Sequence, residues 1–84
     1  MQGKITNVAA KRKECVEFGA AVRKLRENQG YSQEALAEKI PVHRTYMGGI
    51  ERGERNPTLA TVYRIAAALS VPAWRLLRGT RDAE

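Results

Sequence analysis

Arg44, Thr45 and Tyr46 stand side by side, and Arg52 and Arg55 follow shortly after them. Arginine carries five N–H donors in a fixed fork and can make two parallel bonds to one guanine edge. Threonine offers a hydroxyl to a base or a methyl to thymine. A tyrosine ring can lean on sugars and thymine methyls. Such a set grips an anionic, base-bearing partner. It does not turn over a substrate: no nucleophile–base pair or paired carboxylates accompany it. Cys15 and His43 are single and lie on different expected helices, which excludes a structural zinc site and leaves no metal and no enzyme to expect. Taken singly, each residue also has a plainer role: a solvated Arg44, a helix-start Thr45, a half-buried Tyr46.

For these side chains to act together, one short helix must carry them. The spacing predicts a first helix over residues 11–29, with Cys15, Phe18, Val22 and Leu25 on one face and Gly30 as its left-handed stop. Gly19 within it reads as a minor cost. Ser32 suits an N-cap for a helix over 33–40, with Ala35, Leu36 and Ile40 turned inward, and Pro41 ends it. A third helix runs from residue 43 or 44 to 52, with Met47 and Ile50 inward and Gly53 after it. Thr58 caps a fourth helix over 59–69, striped by Leu59, Val62, Ile65, Ala66 and Leu69. Val71-Pro72 opens a last short helix ending near Arg78, with Gly79 beyond. The expected fold is therefore all-α, a compact five-helix bundle. Residues 1–10 are expected to be a flexible arm, 11–79 the domain and 80–84 a disordered tail.

The pair 33–40 and 43–52, joined by a tight turn, has the form of a helix-turn-helix. Its second helix fits a major groove about 12 Å wide and puts first-turn side chains on base edges. Gly48 and Gly49 each cost about 1 kcal/mol in a helix interior. Either the backbone must approach a partner closely, the reading given to Gly49, or a neighbouring helix crowds it, the reading given to Gly48.

Composition agrees. The 84 residues carry 15 Lys plus Arg against 9 Asp plus Glu, a net charge of +6 that favours nucleic acid first and an anionic membrane surface second. This length allows one domain with a small core. No run of about 18 apolar residues exists to span a membrane, and no signal peptide is visible. A lone cysteine suits a reducing, cytoplasmic setting.

The segment SQEALAEKIPVHRTYMGGIERGERNPTL, residues 32–59, resembles the helix-turn-helix of the phage-repressor (Cro/repressor-like, xenobiotic-response-element) family. The likeness extends over about residues 18–78. Within the family, HRTYMGGIERGERN is most similar to the controller proteins of restriction–modification systems. The resemblance implies a lambda-repressor-like fold and a bacterial or phage regulator of transcription that binds double-stranded DNA. It implies that Gln33 bonds a phosphate, Arg44 and Thr45 read bases, and Tyr46 touches backbone and bases near them. Arg52, Arg55 and the backbone around Asn56 would clamp flanking phosphates. Arg26 and Glu51 would form a buried ion pair. Two departures stand out. Pro41 replaces a turn residue that is commonly glycine, so the turn must differ locally. His43 replaces a Ser or Asp N-cap; it is a weaker cap, free to meet a phosphate or simply exposed and neutral.

Palindromic operators are read by two-fold dimers. The candidate homodimer surface is Tyr63, Ala67, Trp74 and Leu77, though Trp74 could instead close the core of one chain. No cofactor or small-molecule ligand is implied. The competing reading is an antitoxin-like protein-interaction module with secondary DNA binding.

Overall fold

Cys15, Phe18 and Val22 are buried on α1, Lys13–Asn28, as their spacing predicts, whereas Leu25 is only half-buried and Ala21 joins the stripe instead. The computed structural model describes residues 11–78; the expected arm 1–10, Gly79 and the tail 80–84 lie outside the described residues. Four further helices follow: α2 Gln33–Lys39, α3 Arg44–Glu51, α4 Leu59–Ala68 and α5 Ala73–Leu77. Among the described residues there is no strand.

The ends of these helices are set by local chemistry. The Ser32 hydroxyl accepts from the Ala35 N–H, and the Thr58 hydroxyl accepts from the Thr61 N–H. Each bond satisfies one of the donors a helix start leaves free. Gly30 and Gly53 follow α1 and α3 with φ of +82° and +79°, the left-handed conformation expected of them. Ser70 takes the same role after α4 with φ of +59°, where a side chain is ordinarily disfavoured. Between α2 and α3 the turn departs from the glycine form, as Pro41 requires. The Ile40–Pro41 peptide is cis, and the Val42 N–H donates to the Ala37 carbonyl at 2.7 Å.

Every helix sends side chains to one core. Val22, Leu36, Met47, Ile50, Ile65, Leu69 and Leu76 are fully buried. Burying each is worth about 1.5–3 kcal/mol. The Gln29 side-chain amide donates to the Leu69 carbonyl at 2.8 Å and ties the end of α1 to the end of α4.

Gly19 is more than a minor cost. A Cβ there would overlap the Ile50 carbonyl oxygen and stand 2.8 Å from that of Glu51. The glycine is what lets α1 cross the last turn of α3 backbone to backbone. Helix α3 is thereby set at a fixed depth on the bundle.

Candidate nucleic-acid interface

The two ends of α3 differ in kind. Its C-terminal end is locked. Arg26 grips Glu51 with two parallel bonds, Nε to Oε2 at 2.7 Å and Nη2 to Oε1 at 3.0 Å. The remaining guanidinium face donates from Nη1 to the Tyr31 carbonyl at 2.7 Å. Both residues are buried. The hydrogen bond to Glu51 raises the Arg26 pKa above its ordinary value, ahead of a smaller opposing effect of burial. The paired arrangement expected of Arg26 and Glu51 is thus present. It also recruits Gln33, whose Nε2 donates to Glu51 Oε1 at 2.9 Å. Gln33 therefore joins the first turn of α2 to the last turn of α3. A second amide hydrogen and its oxygen remain for an outside partner.

The N-terminal end is open. Arg44 and Thr45 are exposed in the first turn. The His43 ring holds this end: its Nδ1 accepts from the Thr45 N–H at 3.0 Å. The weaker cap expected here is a working one, and the ring nitrogen takes the place of a serine or aspartate oxygen. Accepting at Nδ1 puts the proton of the neutral ring on Nε2. Tyr46 is half-buried and packs against the core.

Residues 44, 48 and 52 lie one above another on a helix, as do 45 and 49. Gly48 and Gly49 are both buried, and both are covered by side chains of this chain. A Cβ on Gly48 would stand 3.1 Å from Arg52 Nη1 and 3.5 Å from Gln33 Oε1, so crowding at Gly48 comes from those two side chains. A Cβ on Gly49 would stand 2.9 Å from Arg55 Cγ.

Arg52 and Arg55 are exposed beyond α3. Arg52 Nε donates to Glu54 Oε2 at 3.1 Å, and Lys11 Nζ lies 4.0 Å from the same oxygen. The Arg52 bond holds the Glu54 carboxyl below its ordinary pKa and raises that of Arg52. Nothing in the residue spacing singled out Glu54 as a partner, because surface pairing is decided by loop geometry. Asn56 is exposed in the same loop.

Tyr63, Trp74 and Leu77 are 59%, 56% and 58% exposed, and Ala67 is exposed as well. Trp74 therefore does not close the core. Its ring carries the Arg78 guanidinium at 5.4 Å instead. Leu59, 66% exposed, extends this apolar face along α4. Among the described residues no group of three His, Cys, Asp or Glu is gathered to hold a metal. No helix there is long and apolar enough to cross a membrane.

A short helix with an open, donor-rich first turn and a locked last turn, preceded by a second short helix, defines a helix-turn-helix protein. The helix-turn-helix family model matches residues 22–73, more than half of the chain, and the chain belongs to that family. The control protein C.SmaI of Serratia marcescens is 48% identical over 56 residues, which cover 67% of this chain and 67% of that protein. The crystal structure of the restriction-modification controller protein C.AhdI from Aeromonas hydrophila superposes with a TM-score of 0.75 at 40% identity, covering 77% of this chain and 98% of that one. The biofilm master regulator SinR in complex with DNA gives a TM-score of 0.68 at 34% identity, covering 71% of this chain and 97% of that one.

Proposed function

We propose that this chain is a sequence-specific regulator of transcription that binds double-stranded DNA. It reads an inverted-repeat operator as a homodimer, with α3 in the major groove, and is a controller of the restriction–modification kind. The observation that carries the reading is the asymmetry of α3: its first turn is free and donor-rich while its last turn is bolted to α1 and α2. The likeness to C.SmaI, C.AhdI and DNA-bound SinR supports it. The role is binding without catalysis, in the cytoplasm where the DNA lies.

In this reading Arg44 makes the bidentate contact to guanine and Thr45 meets the neighbouring base. Tyr46 leans on sugar and base beside them. His43, Arg52, Arg55 and the Asn56 backbone take flanking phosphates, and Gln33 takes one at the start of α2, where free N–H groups favour anions. Tyr63, Ala67, Trp74 and Leu77 meet their counterparts in a second copy. Pairing also enlarges a core that is small for one chain.

The test is selection of bound duplexes from a random pool at about 0.15 M salt, then titration of the winner against scrambled DNA. The expected result is an inverted repeat bound at least ~10³-fold tighter than scrambled DNA. Uniform, salt-sensitive binding near 10⁻⁴–10⁻⁶ M, roughly the non-specific range, would leave only a basic surface and turn attention to a protein partner.

A further inference from the structure

Gly49 and Arg55 fit together as slot and bar. A Cβ added to Gly49 would stand 2.9 Å from Arg55 Cγ, 3.2 Å from Nε and 3.6 Å from Cδ. The Arg55 stem thus lies across α3 at a position where the helix has no side chain to block it. From that seat the guanidinium reaches back over the Tyr46 ring, 5.9 Å from its centroid, within range of a cation–π attraction. Arg55 comes from the loop after α3, yet it ends beside Tyr46 in the helix's first half. Arg44 and Thr45 are the exposed residues adjoining that ring.

We propose that Gly49 is a positioning residue: its bare backbone seats Arg55 over Tyr46, so that these two side chains meet the DNA as a pair already arranged. The proposal rests on the DNA-reading function above. Its consequence is specific. A flexible arginine loses conformational freedom when it binds, and one already held in place loses less. Glycine at residue 49 sacrifices helix stability, and in return Arg55 is ordered before contact.

The experiment compares wild type, Gly49→Ala, Arg55→Ala and the double variant as full chains. Thermal unfolding is measured alongside affinity for the selected operator and for scrambled DNA. Gly49→Ala is expected to leave Tm within about 4 °C of wild type, because the gain of alanine over glycine in a helix is offset by displacement of the Arg55 stem. The same change is expected to weaken operator binding about three- to tenfold, and scrambled DNA by a similar factor, because a phosphate contact carries no sequence information. In the Arg55→Ala background it is expected to cost nothing further. In the free protein, the Tyr46 ring should shift the Arg55 side-chain proton resonances, and Gly49→Ala should abolish that shift. The proposal is overturned if Gly49→Ala weakens binding equally with and without Arg55, because the glycine then serves backbone approach to DNA itself. It is overturned too if Gly49→Ala binds as wild type or leaves the Arg55 resonances in place. A wild-type chain that enriches no sequence overturns the parent reading as well, and the resonance test separates that failure from a failure of the slot.

Discussion

The two ends of α3 show how one helix can be both part of a core and a tool. At Glu51 every carboxylate oxygen is occupied, by Arg26 and Gln33, and the last turn meets α1 without an intervening side chain at Gly19. At Arg44 and Thr45 nothing from the bundle intervenes, and the turn is held by the Thr45 and Met47 N–H groups donating to the His43 ring and carbonyl. Rigid anchoring of one end is what makes exposure of the other useful. A base-reading side chain gains precision only if the helix beneath it cannot rock.

Breaking the locked end should cost the fold first. Glu51→Ala leaves the buried Arg26 guanidinium with only the Tyr31 carbonyl and the exposed Glu27 carboxylate beside it and is expected to lower stability by about 3–5 kcal/mol. Chemical denaturation measures this, and a loss confined to DNA binding would contradict the contrast. Gly19→Ala should cost about 1–3 kcal/mol by overpacking, because the obstructing atom is a backbone carbonyl that cannot rotate aside. It is the counterpart of Gly49→Ala, where the obstruction is a side chain that can swing aside and stability should change little.

Changes at the open end should do the reverse. Arg44→Ala is expected to leave the unfolding midpoint unchanged and to lose roughly 1–3 kcal/mol of operator binding, with relaxed preference at one base pair. Titration against single-base operator variants reads that directly. His43→Ala should cost about 1 kcal/mol of stability by removing the cap, and His43→Ser should restore it. Failure of serine to restore the midpoint would show that the ring does more than cap.

The smallest effect belongs to Glu54, just beyond the locked end. Its pKa is lowered in the fold by the hydrogen bond from Arg52. Its contribution is therefore full above the ordinary value of 4.5 and fades as pH falls through the lowered folded value. Glu54→Gln should flatten the acid limb of a stability–pH curve slightly, measured by denaturation at stepped pH. A steeper limb in the variant would contradict the pairing.

Much of this was legible in the chain. Ser32 and Thr58 announced their helices because a hydroxyl at a helix start acts within three residues. The glycines at 30 and 53 announced the stops because φ is a property of one residue. Arg44 and Thr45 were legible as exposed first-turn residues because their position in the helix follows from sequence alone. Ser70 was not legible as a stop, since the left-handed turn after α4 is imposed by bonds from Ser70 and Val71 back to Ala67 and Ala66. Nor did sequence give Gln33 its bond to Glu51, 18 residues on.

The sequence by itself determined the helices, their caps, the apolar stripes and the clustering of arginines around one short helix. These are contacts between neighbours on the chain, and their geometry is local. Only the tertiary structure decided that Gly19 is a crossing point, that Gly49 lies under Arg55 and that Trp74 is left on the surface. Each depends on what another segment brings to within a few ångströms. Spacing along a chain carries no record of that distance until the helices have packed.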